Sequence, residues 1–113
     1  MDLIVIKHAV EASDGMARLS MGFVKKKAAP DRVRLSAEFC AEISKELDKM
    51  GIITLPRRLP TSENDFVCFI DKESALGHVV AVAAALAALD AVGANPLPDL
   101  FKNYALAKGQ LTA

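Results

Sequence analysis

The feature that most constrains the fold of this chain is the run of residues 75–89, which is rich in alanine and contains no charged side chain. An N-cap residue, Asp71 or Ser74, precedes the run, and Gly93 can end a helix after it. The pattern predicts a helix over about residues 72–92, roughly 30 Å long at 1.5 Å per residue. The uncharged run has 15 residues, whereas a membrane span needs about 20. We therefore expect a helix that is buried in a folded domain.

This helix has two apolar faces of different kinds. One face carries bulky side chains, namely Leu76, Val79, Val80, Val82, Leu86 and Leu89. The other carries small residues, namely Gly77, Ala81, Ala84, Ala88 and Ala91. We expect the bulky face to pack on a sheet and the small face to let another helix approach closely. Because the helix that follows is short, the sequence predicts a homodimer whose interface combines the small face with Phe101 and Tyr104 of the final helix.

Composition and charge narrow the class of protein. The 113 residues are 52% hydrophobic and 25% charged, which is typical of one folded domain spanning residues 1–113. The formal net charge is zero, which argues against a general attraction to nucleic acid or to an anionic membrane, while local patches stay open. The first ten residues lack the layout of a secretory signal, so we expect a cytoplasmic protein.

The remaining patterns predict an α+β fold of order ββαββαα, with two antiparallel hairpins forming a small sheet and three helices. Apolar and polar residues alternate over residues 3–10 and again over residues 18–23. Ser13-Asp14-Gly15 supplies the turn chemistry for a hairpin between these two strands. Pro30 and several basic residues then predict an exposed basic loop over residues 25–34.

The second half of the chain predicts a helix, a hairpin and two more helices. Helical spacing and an N-cap serine favour a helix over residues 36–50, ended by Gly51 in a left-handed conformation. Residues 52–70 favour a hairpin that turns near residues 61–65, and its prolines push one strand to the sheet edge. The long alanine-rich helix and a final helix from about residue 96 follow. In the hairpin we expect three side chains to face the core: Phe66, Cys68 and Ile70.

A search for chemical motifs finds no nucleotide-binding glycine loop, no nucleophile elbow and no zinc-protease signature. The four soft metal-ligand candidates are His8, Cys40, Cys68 and His78, and each lies on a different element. Scattered cysteines and histidines are usually core or surface residues, so we predict no metal and no cofactor. His78, His8 and Cys68 are the candidate ligand-binding set, with His78 in the uncharged helix as the first choice. The same histidines would serve a small enzyme that lacks a familiar motif.

The strongest local charge belongs to seven basic residues, namely Lys25, Lys26, Lys27, Arg32, Arg34, Arg57 and Arg58. These residues predict contacts with phosphates if they share one side of the molecule. Residues 35–70 form a helix, a glycine and a proline-bearing hairpin, which resembles in outline the back half of a winged helix-turn-helix. Three observations oppose this interpretation: the helix carries Glu38, Glu42 and Glu46, no scaffold helices are predicted before it, and aromatic residues for base stacking are few.

Sequence alone therefore leaves three functions open. The first is a small non-catalytic interaction protein, homodimeric, that presents a pocket or surface to a protein or a small molecule. The second is a nucleic-acid-binding module that uses the basic loop 25–34. The third is the small enzyme. The absence of catalytic motifs favours the first.

Overall fold

Residues 1–97 and 99–112, which a computed structural model describes, form a small α+β domain with a three-stranded antiparallel sheet. In chain order, the elements are α1 (Ile4–Ala12), β1 (Met16–Ser20), α2 (Met21–Ala28), α3 (Ala37–Lys49), β2 (Ile52–Leu55), β3 (Phe66–Asp71), α4 (Ala75–Ala91), a 3₁₀ turn (Leu100–Lys102) and α5 (Ala105–Leu111). The α+β class is confirmed. The predicted order ββαββαα is wrong, because the described part contains five α-helices and three strands.

The sheet has the strand order β1-β3-β2, so β3 is central and apolar on both faces. Val67 and Phe69 face the main core, which α1, α2 and α3 complete. On the other face, Ile53 and Ile70 pack with Val80 of α4 in a second, smaller cluster. The domain therefore has three layers, with helices α1–α3 on one side of the sheet and helices α4 and α5 on the other.

The predicted first strand, residues 3–10, is helix α1 instead. Leu3, Ile6 and Val10 are buried, whereas Ile4 is exposed. The buried positions are therefore spaced by three and four residues rather than by two. A short apolar run fits both periods, and burial against the sheet selects the helix here.

The predicted second strand, residues 18–23, is also corrected. Strand β1 ends at Ser20, whose hydroxyl accepts a hydrogen bond from the Phe23 backbone N–H at 3.2 Å and caps α2. Lys25, Lys26 and Lys27 form the last turn of α2, where cations complement the helix dipole. The first four residues of the predicted basic loop are therefore helical, and the loop itself spans residues 29–36.

The second hairpin and the helix ends agree with their prediction. β2 and β3 are antiparallel, and β2, which precedes Pro56, is one of the two edge strands. Gly51 and Gly93 take the left-handed conformations, with φ of 75° and 73°, that end α3 and α4. Ser74 caps α4 through the Gly77 N–H at 3.0 Å.

The expected orientation of β3 is only partly right. Phe66 is 49% exposed, Cys68 is half-buried, and only Ile70 of the three is buried. These residues lie on the face toward α4, whereas the main core takes Val67 and Phe69.

The bulky face predicted for the long helix does not pack on the sheet as a whole. Val80 is buried and Leu86 is half-buried, whereas four other members are 40–64% exposed, namely Leu76, Val79, Val82 and Leu89. A helix of 17 residues is about 25 Å long, and the central strand has only six residues, about 20 Å. Val82 and Leu89 also point to the side of the helix opposite Val80, so the sheet cannot cover them.

The final helix is shorter than predicted. Residues 100–102 form a 3₁₀ turn, Tyr104 is the exposed N-cap residue, and α5 begins at Ala105. Pro98, part of the predicted helix entry, lies outside the described residues. Helix α5 packs on α4, and the Lys108 ammonium pairs with the Asp90 carboxylate between them.

Candidate nucleic-acid interface

An arginine positions the loop that leads into α3. The Ser36 hydroxyl accepts a hydrogen bond from the Phe39 N–H at 3.0 Å and caps the helix. The Arg32 guanidinium lies 4.1 Å above the Phe39 ring and donates to the Arg34 carbonyl at 3.1 Å and to the Ser36 hydroxyl at 3.4 Å. Arg32 therefore fixes the course of loop 29–36 and places a positive charge beside the start of α3.

The connection between β2 and β3, residues 56–65, lies against α3, and we call it the wing. Leu59 of the wing is buried in the main core. The Cys40 thiol of α3 donates to the Pro60 carbonyl at 3.5 Å. Burial raises the pKa of this thiol, so Cys40 stays protonated at neutral pH and acts as a donor rather than as a nucleophile. Both contacts hold the wing on the helix.

The wing and α3 enclose an open groove of about 610 Å³. On the helix side it is lined by Ala37, Ala41 and Ser44, which share one helical face. On the wing side it is lined by Arg57 and Arg58 and also by Leu59, Pro60 and Thr61. Small side chains leave the backbone of α3 accessible, and two guanidinium groups give the groove a positive wall.

Helix α5 braces the start of the wing from behind. The Arg57 backbone N–H donates to the Gln110 carbonyl at 2.8 Å. The Arg57 carbonyl accepts from the buried Thr54 hydroxyl at 3.3 Å. The backbone of Arg57 is thus held from both sides, which limits where its guanidinium can reach.

The far end of the wing is tied to α2. The Gly22 N–H donates to the Glu63 carbonyl at 2.9 Å. The Lys25 ammonium lies 2.6 Å from the Glu63 carboxylate and 3.0 Å from the Val33 carbonyl. A second cavity, of about 590 Å³, opens here between α2 and the wing and is also lined by Lys26 and Arg32. The wing is therefore bordered by basic residues at both ends.

The acidic residues of α3 are unevenly placed. Glu42 and Glu46 line a different cavity together with Met1 and Lys45. Glu46 also pairs with Lys49 at 3.2 Å. Of the three glutamates that opposed nucleic-acid binding, two therefore face the side of α3 toward the N-terminus rather than the groove.

The seven basic residues divide into two groups. Lys25 and Arg32 are engaged in the contacts described above, and the Lys27 ammonium lies 5.5 Å from the Phe23 ring. Lys26, Arg34 and Arg58 are exposed, and Arg57 is half-buried. Lys25 and Arg32 shape the loop and the wing, Lys27 contacts its own helix, and the second group remains available to a ligand.

The structure does not bring the predicted ligand-binding set together into a described site. His8 lies on α1 and His78 on α4, and both are exposed. Cys68 lies on β3 in the cluster beneath α4. Over residues 1–97 and 99–112, no group of three or more His, Cys, Asp or Glu side chains is arranged to hold a metal ion.

The predicted dimer-interface residues are spread around α4 and beyond it. Gly77 packs inside the chain, because a Cβ there would lie 2.1 Å from the Asp71 carbonyl oxygen. Ala84 is half-buried, as is Phe101. The exposed members are Ala81, Ala88, Ala91 and Tyr104.

Sequence reasoning missed the groove-lining residues of α3. Ala37, Ala41 and Ser44 are small and carry no charge, so nothing in their composition marks a site. Their spacing of four and three residues places them on one face of α3, next to its buried residues, and this was the only sign of the groove in the sequence. It has meaning only when the wing is placed beside it.

Comparison with known proteins adds no relative: no protein-family model, no curated protein and no solved structure matches the chain. Among the helices described here, none combines the length and apolar character that crossing a bilayer requires.

Proposed function

We propose that this chain binds duplex DNA through α3, loop 29–36 and the wing. The observation that carries the proposal is the groove between α3 and the wing, which joins an accessible helix face to the two arginines Arg57 and Arg58. DNA backbones are recognised chiefly by such cations, and helices are inserted into the major groove.

The topology supports this proposal. Elements α1, β1, α2, α3, β2 and β3 follow one another, with the sheet order β1-β3-β2, an arrangement that resembles a winged helix-turn-helix. The argument from missing scaffold helices no longer applies, because α1 and α2 precede α3 where strands were predicted. In such an arrangement α3 corresponds to the recognition helix, which a B-DNA major groove about 12 Å wide can admit.

Duplex DNA fits the surface better than a single strand does. Binding of single strands relies on aromatic side chains that stack on bases. The exposed large aromatic residues in the described part of the chain are Phe66 and Tyr104, and the Arg18 guanidinium already lies 4.2 Å above the Phe66 ring. Neither aromatic residue lines the groove.

A chain with no net charge can still bind DNA if its basic residues are clustered at the binding surface. The formal net charge is zero, so long-range attraction is weak and binding depends on the local basic groups. We expect few phosphate contacts, modest affinity and a salt dependence set by Arg57, Arg58, Lys26 and Arg34.

The test is fluorescence anisotropy with a labelled mixed-sequence duplex of about 24 base pairs at 50–200 mM salt. Replacing both arginines, Arg57→Ala with Arg58→Ala, is expected to reduce affinity by about tenfold or more. It should also reduce the slope of log K against log salt by about 2, since each lost phosphate contact removes about 1.

The matched control removes two positive charges elsewhere. Lys7→Ala with Lys102→Ala changes side chains on α1 and in the 3₁₀ turn, and both lie outside the groove. The control should leave affinity within about twofold. Absence of binding by the unaltered chain, binding that does not depend on salt, or an equal loss in the control would contradict the proposal. Preference for a single-stranded competitor would contradict the choice of duplex.

A further inference from the structure

Helix α4 and the residue that follows it expose a seam on the side away from the sheet that is apolar except for His78. Its six residues, which we call the α4 seam, are Ala75, His78, Val82, Ala85, Leu89 and Val92. They are spaced alternately by three and four residues, and all six are exposed. This spacing is the repeat with which one helix packs its side chains into another helix. A solvated helix face of this length would ordinarily carry charged residues.

The accessible surface of the whole chain provides a second, independent observation. A compact monomer of 12.1 kDa exposes about 6,000 Å². This chain exposes 6978 Å². The excess of roughly 1,000 Å² matches the ~800 Å² that each partner buries in a standard protein interface. An excess of this size is comparable with the area that one partner subunit would cover.

The molecule is also more extended than a compact domain of its length, as expected if the outer side of α4 is not covered by the chain itself. The Cα radius of gyration is 14.6 Å, against about 13 Å expected for a compact domain of this length. The principal extents are 46 × 28 × 21 Å. Helices α4 and α5 form one outer layer, and α5 covers only part of α4.

The chemistry of the seam favours a second copy of this chain as the occupant. In a two-fold dimer the same patch meets itself, so the patch must be self-complementary. Residues 75–89 carry no charge, so two copies meet without like-charge repulsion. The carboxylate that follows Leu89, Asp90, accepts hydrogen bonds from Lys108 and Asn95 of its own chain. Ala85, near the middle of the seam, allows the two helix backbones to approach closely.

We propose that two copies of this chain associate through the α4 seam to form a homodimer. Val82 and Leu89 supply the bulky contacts, and Val79, which is 64% exposed, flanks them on the same helix. The dimer covers apolar surface that neither the sheet nor α5 covers. Its stability depends on α4 and not on the groove between α3 and the wing.

The test is sedimentation velocity on the full chain at 1–100 µM. The unaltered chain is expected to sediment with twice the 12.1 kDa mass of one chain. Val82→Glu places a carboxylate in the middle of the seam and is expected to weaken association by about 100-fold or more, because an unpaired charge would be buried. Val82 is 63% exposed in the single chain, so the variant should keep its circular dichroism spectrum.

The matched control is Val33→Glu, the same substitution at a side chain that is 82% exposed in loop 29–36. It should leave the dimer intact, as should Arg57→Ala with Arg58→Ala, which separates this proposal from the DNA-binding one. The unfolding temperature of the unaltered chain should rise with protein concentration, and that of Val82→Glu should not.

Three outcomes would overturn the proposal. A monomer at 100 µM would do so, and so would a dimer that Val82→Glu leaves intact. Flotation of a monomeric chain with anionic vesicles, lost in Val82→Glu, would assign the seam to a lipid surface instead.

Discussion

Helices α3 and α4 use apolar residues in opposite ways. Helix α3 has 13 residues, alternates apolar and charged faces, and buries Phe39, Cys40, Ile43 and Leu47 in the main core. Helix α4 has 17 residues, and its buried members are Gly77, Val80 and Ala87. The apolar face of α3 is narrow enough to be buried entirely by its own domain. The apolar surface of α4 is much larger than the area that the three-stranded sheet covers.

This contrast shows that an apolar pattern predicts that a surface is buried. It does not show whether the same chain or a partner buries it. For α3 the charged residues mark the limit of the buried face. In α4 no charged residue between positions 75 and 89 marks where a buried face would end. The first helix can therefore be placed from its pattern, and the second requires knowledge of how much sheet is present.

The largest effect should come from the core side of α3. Leu47 is fully buried, so Leu47→Ala should lower the free energy of unfolding by about 4 kcal/mol through lost burial and the cavity that remains. The matched control is Leu106→Ala on α5, where the side chain is 80% exposed and the change should stay within about 0.5 kcal/mol. Urea denaturation at one fixed protein concentration measures both. Equal losses would mean that α3 and α5 do not differ in burial as described.

A second effect should come from Gly77, where the backbone of α4 lies close to the end of β3. A Cβ at Gly77 would lie 2.1 Å from the Asp71 carbonyl oxygen and 2.9 Å from backbone atoms of Lys72. Gly77→Ala should therefore force the start of α4 away from β3, at a cost of about 3 kcal/mol. Thermal unfolding should show the loss.

The control for this change is Gly109→Ala in α5. A Cβ at Gly109 would meet nothing within 4 Å, so alanine should stabilise the helix by about 0.5–1 kcal/mol. A loss of stability in Gly77→Ala together with a gain in Gly109→Ala would show that the close backbone contact, and not helix propensity, determines the effect at the start of α4. A gain in stability at Gly77 would contradict the contact.

The parts of the fold that the sequence predicts are those with local chemistry. Ser36 and Gly51 bound α3, Ser74 and Gly93 bound α4, and Pro56 marks the edge strand, because caps and prolines act within a few residues of themselves. Residues 3–10 were misassigned because Leu3, Ile6 and Val10 fit a helix while their neighbours fit a strand. Burial of these three residues in the main core against the sheet decides between them.

The candidate site was predictable only in part, for the same reason. The basic residues were visible, but Lys25 and Arg32 could not be told from Arg57 and Arg58 without the positions of Glu63 and Phe39. The α4 seam could not be found from sequence because the bulky and small faces were both apolar. Which face remains uncovered depends on α5, whose start was predicted too early.

The smallest effect should come from the ion pair that closes α4 on α5. Hydrogen bonds from Lys108, and then from Asn95, hold the pKa of the Asp90 carboxyl below its ordinary value, while partial burial opposes them. A carboxyl whose pKa is lowered by folding stabilises the protein above its unfolded pKa, near 4. That contribution is lost as the pH falls through the lowered folded pKa. Asp90→Asn should therefore lower the unfolding temperature at pH 7 but not at pH 2.

The control for this prediction is Asp99→Asn, at an aspartate whose side chain is 81% exposed and pairs with Lys102 in its own 3₁₀ turn. An exposed pair of this kind contributes little, so this variant should follow the unaltered chain at every pH. The difference between the unaltered chain and Asp90→Asn should be constant above about pH 5 and should vanish on acidification. A difference that persists at pH 2 would assign the effect to lost packing. The α4–α5 contact would then be held by Leu111 and the apolar cluster beneath it rather than by charge.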